Sequence, residues 1–98
     1  MGAEDNIELI TRVYDRDGWR CRHCGASVYE YGTPQLAHLV PQRKNNVRKY
    51  GKARIHHPAN LAATCSLRCN AAVQLPPWRW DVHMSKIALA MSIEEDEG

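Results

Sequence analysis

Apolar positions recur at helical spacing near the start of the chain, at Ile7, Ile10, Val13 and Tyr14, which predicts an amphipathic helix. Asn6 supplies an N-cap before it and Asp17-Gly18 a stop after it; Glu8 and Arg12 form an i,i+4 pair on its outer face. The period then changes. Residues 28–31 read as a short strand, Gly32-Thr33-Pro34 as a turn, and residues 36–40 as a second strand ended by Pro41. Residues 42–60 carry no strong periodicity, although residues 46–50 predict a helical turn that Gly51 terminates. A loop of that length in a small domain is usually functional or mobile. Ser66 caps a helix running to about residue 75, where Pro76-Pro77 ends it. Met84, Ile87, Ala88 and Met91 make an i, i+3, i+4, i+7 stripe, which predicts a last helix over about residues 82–93 and a frayed acidic tail at 94–98. Short strands and helices in 98 residues predict one small α+β domain spanning the chain.

A domain this small buries a modest core and often leans on a metal or disulfides. No run of residues approaches the roughly 18 apolar positions of a membrane span. The start of the chain is acidic and polar, without a secretory leader, so a reducing, cytoplasmic setting is expected, in which paired cysteines serve metals more often than disulfides. The net charge of +2 conceals a segregation. Residues 20–80 hold Arg20, Arg22, Arg43, Lys44, Arg48, Lys49, Lys52, Arg54, Arg68 and Arg79 against the single acid Glu30, and all other acids lie outside that span. A basic centre between acidic ends fits a surface that meets a polyanion, and DNA is the expected partner.

The four cysteines fall as Cys21-x2-Cys24 and Cys65-x3-Cys69, with 40 residues between the pairs. Each pair is spaced to give two sulfurs to one tetrahedral ion, and zinc favours four thiolates in a closed structural site. Four unrelated buried cysteines are the plain alternative, and a rubredoxin-like iron site a third. A closed four-cysteine zinc would staple the fold and take no part in chemistry.

His38 is the polar residue of an otherwise apolar strand, Leu36-Ala37-His38-Leu39-Val40, and is costly to bury without a partner. A satisfied core histidine is one reading of it. Around it, Arg16-Asp-Gly-Trp-Arg-Cys-Arg-His-Cys-Gly25, Ala37-His-Leu-Val-Pro41, Asn60-Leu61 and Cys65-Ser-Leu-Arg-Cys69-Asn70 together resemble the His-Asn-His (HNH) endonuclease superfamily over about residues 12–75. The resemblance implies a ββα-metal core, two strands and a helix around one divalent cation, with a four-cysteine zinc site and flanking helices. It implies a metal-dependent endonuclease that hydrolyses phosphodiester bonds in nucleic acid, with His38 as general base, Asn60 holding the loop and orienting His38, and Asn70 giving an oxygen to Mg²⁺ or Mn²⁺. The chain departs from the commonest pattern at Asn70, where many members have histidine. It departs again at Ala37, where many have a metal-binding aspartate. The implied ion is then held by Asn70, phosphate oxygens and water, with help from His56 or His57.

Arg43, Lys44, Arg48, Lys49, Lys52 and Arg54 form a run without an acid beside His38; a solvated loop is the bland reading, and a grip on backbone phosphates the functional one. Trp78 and Trp80 are expected to pack over the core in preference to stacking on bases. The alternative to a nuclease is a non-catalytic zinc-stapled module of the same fold that binds DNA or protein. A domain this size makes few contacts alone, so a homodimer or a larger protein partner is expected.

Overall fold

The computed structural model describes residues 3–97. In chain order the elements are α1 (Ala3–Arg16), β1 (Gln35–His38), α2 (Lys44–Tyr50), α3 (Lys52–Ile55), a 3₁₀ turn (Pro58–Asn60), β2 (Leu61–Thr64), α4 (Leu67–Ala72), a second 3₁₀ turn (Pro77–Arg79) and α5 (Trp80–Glu97). The protein is thus a small α+β fold with one two-stranded sheet and, among the described residues, five helices. Among the described residues, no helix is long and apolar enough to cross a membrane.

The helix at the start of the chain forms where expected but begins at Ala3, so Asn6 lies inside it and is not its cap. Residues 28–31 are not a strand. Ser27 spends its groups on turns instead: its hydroxyl accepts from Tyr29 N at 3.2 Å and its carbonyl from Glu30 N at 3.0 Å. A side chain that serves the local backbone in this way competes with a sheet ladder. All that remains of pairing there is one bridge, Arg20 to Ser27. The partner of β1 is β2, antiparallel, with Gln35 opposite Thr64 and His38 opposite Leu61. Leu-Ala-Ala-Thr is buried at all four positions, and burial on both faces removes the alternation by which a strand is recognised.

In the aperiodic segment, α2 turns Val47 and Tyr50 inward and leaves Lys44, Arg48 and Lys49 in solvent. Gly51, at φ 88°, ends α2 and starts α3; a side chain there would meet the steric penalty of positive φ. Ser66 caps α4 as expected, accepting from Cys69 N at 3.2 Å, and α4 stops at Ala72, before the expected residue 75. The last helix is longer than its stripe predicts: α5 starts at Trp80 and runs through the acidic segment to Glu97. Glu94 is tied down there by His57, whose Nε2 lies 3.2 Å from Oε1.

The core has two apolar clusters. Val13, Tyr14, Val28, Leu61 and Ala63 form one, with Leu9, Ile10 and Leu36 packed against it. Val40, Tyr50, Ile55, Met84 and Ile87 form the other, with Val47, Trp80 and Met91 beside it. The predicted α5 stripe is therefore the face that packs. Trp80 joins it and donates its indole N–H to Leu75 O at 2.8 Å, whereas Trp78 stays in solvent.

The outer edge of β2 is closed by side chains and by the segment after α1. Arg16 donates to Leu61 O at 2.6 Å, Arg22 N donates to Ala63 O at 2.9 Å, and the Asp17 carboxylate accepts from Ala63 N at 2.9 Å. Asp17 also receives Arg16 Nε at 2.9 Å and Arg22 at 3.0 Å. Burial opposes ionisation of Asp17, yet these donors hold its pKa down to about 2 against an ordinary 3.8. Its contribution to stability is present above pH 3.8 and is lost as pH falls towards 2. Asp17→Ala, which strips a partner from Ala63 N–H and from both arginines, is expected to cost about 3 kcal/mol in urea denaturation at pH 7. Arg22→Lys, which alters a half-exposed leg of the cluster, should cost less than about 1 kcal/mol.

Candidate metal centre and the His38 cleft

Two short pieces of chain bring the cysteines together. Cys21 and Cys24 sit on a turn closed by Gly25 N donating to Cys21 O at 2.8 Å and by Cys21 N donating to Ala26 O at 2.7 Å. Gly25 takes φ 79° there, a conformation that favours glycine. Cys65 follows the last residue of β2, and Cys69 lies one turn along α4. All four sulfurs lie within 4.8 Å of one another, with Cys24 to Cys65 at 3.5 Å and Cys65 to Cys69 at 3.8 Å. A tetrahedral zinc with bonds of about 2.3 Å needs sulfur separations of about 3.8 Å. The cluster could hold a metal ion such as zinc, as the cysteine spacing predicts.

The electrostatics of the cluster agree with that reading. Burial opposes a thiolate at Cys21, but backbone N–H groups of Cys24, Cys65 and His23 aimed at its sulfur bring its pKa down to about 6. Burial and the neighbouring sulfurs push Cys65 up to about 12. One sulfur is ready to ionise and a second resists for want of a positive charge, which a divalent cation supplies. Cys21, Cys65 and Cys69 are buried while Cys24 faces solvent.

His38 ends β1, and its ring meets a second histidine that α3 delivers: His38 Nε2 lies 3.3 Å from His56 Nδ1, the rings edge to face. One of the two nitrogens must carry the proton of that contact. Burial, then the charge of His56, lower the His38 pKa to about 4, so its imidazole is neutral at pH 7. His38 lines two adjoining depressions. One, of about 240 Å³, runs along Leu9, Ile10, Leu36, Gln42, His56 and Leu61. The other, of about 260 Å³, is walled by Leu36, Pro41, Gln42, Arg43, Asn70 and Gln74. His38 and Asn70 therefore share one cleft. Asn70 donates its amide N–H to Leu36 O over a long 3.4 Å, which leaves Oδ1 as the atom available to a ligand.

Asn60 is buried and uses its whole amide. Oδ1 accepts from Val40 N at 2.9 Å, and Nδ2 donates to Val40 O at 3.1 Å and Ile55 O at 2.8 Å. These Asn60 bonds tie the chain just after β1 to the end of α3. Its hold on His38 runs through the backbone just beyond the histidine, where Leu39 N also donates to Asn60 O at 2.8 Å. His57 turns away from the cleft: its Nδ1 accepts from Ala59 N at 3.1 Å and its Nε2 meets Glu94. Of the two loop histidines, His56 is the one brought to His38. Ala37 is fully buried, and the His38–Asn70 cleft has no carboxylate among its lining residues.

The six cations of the central run divide. Lys49 pairs with Asp81 at 3.0 Å, and Arg54 donates to Tyr50 O at 2.9 Å with its guanidinium over the Tyr50 ring. Arg43, Lys44, Arg48 and Lys52 are exposed. Arg43 lines the cleft at Asn70, and Lys52 lines a depression on the far side of His56.

Several participants carried little readable signal. Asp17 reads as a helix stop, Gln42 as loop polarity, and Gln74 as part of the helix expected after Ser66. His83, on α5, reaches Asn60 Oδ1 at 3.2 Å; since that oxygen can only accept, Nε2 is the donor. Burial, with Lys86 and Arg79 nearby, lowers the pKa of His83, keeping it in the neutral form. Only Asp17, set between Arg16 and the arginines of the knuckle, carried a clue.

Purified protein is expected to contain one zinc per chain by elemental analysis, and Co²⁺ in its place should give the absorption of a tetrahedral thiolate site. Chelation should unfold the domain, since metal binding at such sites contributes on the order of 10 kcal/mol, and Cys65→Ser should reproduce the loss in circular dichroism. Comparison with family models, curated proteins and solved structures finds no match to this chain.

Proposed function

We propose that the protein is a metal-dependent endonuclease of the HNH type that hydrolyses phosphodiester bonds, with DNA as substrate. One observation carries the reading: His38 and Asn70, drawn from a strand and from the helix that follows its partner strand, line a single cleft with Arg43 at its wall. The antiparallel pair β1–β2 followed by α4, with Cys65 and Cys69 at the junction, supports reading these elements as a ββα-metal core. In this reading the four cysteines hold zinc as a staple.

The neutral His38 ring can accept a proton from water, and the adjacent His56 ring can receive or supply the proton of their shared contact. With His38 kept for the proton, Asn70 Oδ1 and a ring nitrogen of His56 would be what the chain offers a second cation. That donor set is neutral, so it suits Mn²⁺ better than Mg²⁺, which prefers carboxylate oxygens. A cation held there beside a substrate phosphate would supply charge neutralisation of the phosphate and of the leaving oxygen. Asn60 fixes the strand exit behind His38, and Arg43, Lys44, Arg48 and Lys52 hold the phosphate backbone on either side.

A second reading is favoured by the missing carboxylate: a zinc-stapled module of the same architecture that binds nucleic acid without cutting it. Its discriminating property is salt-sensitive binding with no product under any divalent ion.

The test is a plasmid-nicking assay with Mn²⁺ and with Mg²⁺. His38→Ala should lower the rate by at least about 100-fold while zinc content and circular dichroism are unchanged; an equally active variant would remove His38 from the reaction. The cations give a separate expectation. Arg48→Gln or Lys52→Gln should each lower the salt dependence of DNA binding by about one unit of slope, and Lys49→Gln by less, because its ammonium is shared with Asp81.

A further inference from the structure

Trp78 does not pack over the core as expected. It is 81% exposed, on the 3₁₀ turn that begins at Pro77 and is closed by Arg79 N donating to Pro76 O at 2.9 Å. Trp80, two residues on, is the indole that packs. A single exposed apolar side chain is ordinary. What sets Trp78 apart is the hollow beside it, of about 220 Å³, which it lines with Leu39, Leu75, Arg79, His83 and Lys86. Leu39 and Leu75 give that hollow an apolar wall and are joined by Leu75 N donating to Leu39 O at 2.8 Å.

The charge of the hollow has one sign. Arg79, His83 and Lys86 follow one another at four and three residues, so they share a face of the helical segment. No carboxylate lines the hollow. Asp81, the acid in the first turn of α5, is engaged elsewhere, by Lys49 at 3.0 Å and by the Tyr50 hydroxyl. Among the described residues neither Arg79 nor Lys86 has an ion-pair partner. Their field is felt inside, since after burial it is Lys86 and Arg79 that lower the pKa of His83.

A free indole face, an apolar wall and two cations suit a ligand that carries a flat ring and an anion on one frame. The volume lies below the roughly 300–1,000 Å³ of a complete small-molecule site, so the hollow takes one ring system of something longer. It is also continuous with the other basic surface. His38 and Gln74 line the cleft at Arg43, and the next residue of each, Leu39 and Leu75, lines this hollow. A polyanion crossing those two segments would meet Arg43 at one depression and Arg79 and Lys86 at the other. An acidic peptide fits less well, because peptide anchors need fully desolvated pockets, whereas a nucleobase needs only a ring face.

We propose that Trp78, Arg79 and Lys86 form a site for one unpaired nucleotide of a single-stranded nucleic acid, with the base stacked on Trp78 and its phosphates against the two cations. A base inside a duplex has both faces covered by its neighbours, so the site selects unpaired strand. The inference rests on nucleic acid being the ligand, which the cutting and the non-cutting readings share, and is independent of cleavage.

Fluorescence anisotropy on the zinc-loaded 98-residue chain, with no further divalent ion, tests it. The probes are a labelled oligothymidylate of about 12 nucleotides, an abasic strand of the same length and a blunt duplex. Trp78→Ala should weaken oligothymidylate binding at least about 5-fold, with abasic-strand and duplex binding, zinc content and circular dichroism unchanged. Trp78→Phe should recover most of the loss. Arg79→Gln and Lys86→Gln should each lower the salt slope for oligothymidylate by about 0.7. Equal losses on oligothymidylate and abasic strand, or no loss on either, would overturn the proposal. So would a labelled Glu-Leu repeat peptide that bound more tightly than oligothymidylate and lost its binding in Trp78→Ala. A plasmid left intact while oligothymidylate binding still depends on Trp78 would support this site and count against the nuclease reading alone.

Discussion

The free edge of β2 governs the rest of the architecture. A sheet of two four-residue strands cannot stand alone in water, and an unpaired edge would leave Leu61 and Ala63 with exposed backbone groups that invite foreign strands. Arg16, Asp17 and the backbone of Arg22 occupy those groups. In doing so they attach α1 and the first cysteine turn to the strand that leads into the second cysteine pair. Asp17 is the centre of this arrangement, because one carboxylate joins two arginines and a strand amide. The four-cysteine cluster and the apolar cluster under α1 thus share a boundary.

On the other side of the same strand pair the constraint is Asn60. Its amide joins the end of β1, the end of α3 and helix α5 through Val40, Ile55 and His83. A buried amide with every valence used is tolerant of nothing else at that position. It fixes where β1 ends, and therefore where His38 points, while α3 brings His56 to the same place. The cleft is built by backbone placement from three directions and is poor in charge of its own; only Arg43 gives it a sign.

Much of the four-cysteine cluster was legible in the sequence, because chelating pairs are local and cysteine is rare. The helices at both ends were legible for a related reason, since each carries a buried apolar stripe at helical period. β2 was not, because a strand buried on both faces with two alanines has neither alternation nor β-branched residues to mark it before Thr64. The apparent strand at 28–31 failed on one serine hydroxyl that chose a turn. His38 could be singled out as a polar residue in an apolar strand, but its pairing with His56 joins residues 18 apart and depends on α3, which a Lys-Ala-Arg-Ile stretch does not announce. The basic run was visible as composition; which of its members are free for a ligand was not, because Asp81 and Tyr50 claim Lys49 and Arg54 through folded-state contacts.

The position of Cys65 immediately after β2 has a consequence for how the chain finds its fold. Leu-Ala-Ala-Thr against Gln-Leu-Ala-His offers little to distinguish one strand alignment from its neighbours, and small side chains penalise a slip weakly. Each cysteine pair, in contrast, can chelate an ion while the chain is still open, since its members are three or four positions apart. Joining the pairs closes the 40-residue span between them at an entropic cost of about 3 kcal/mol. Once that ring is shut, Thr64 is held one residue from the ion and its pairing with Gln35 is selected from a short menu. A metal in this centre would therefore act as the register pin of the sheet, choosing the alignment of the strands as well as stabilising them after they have met.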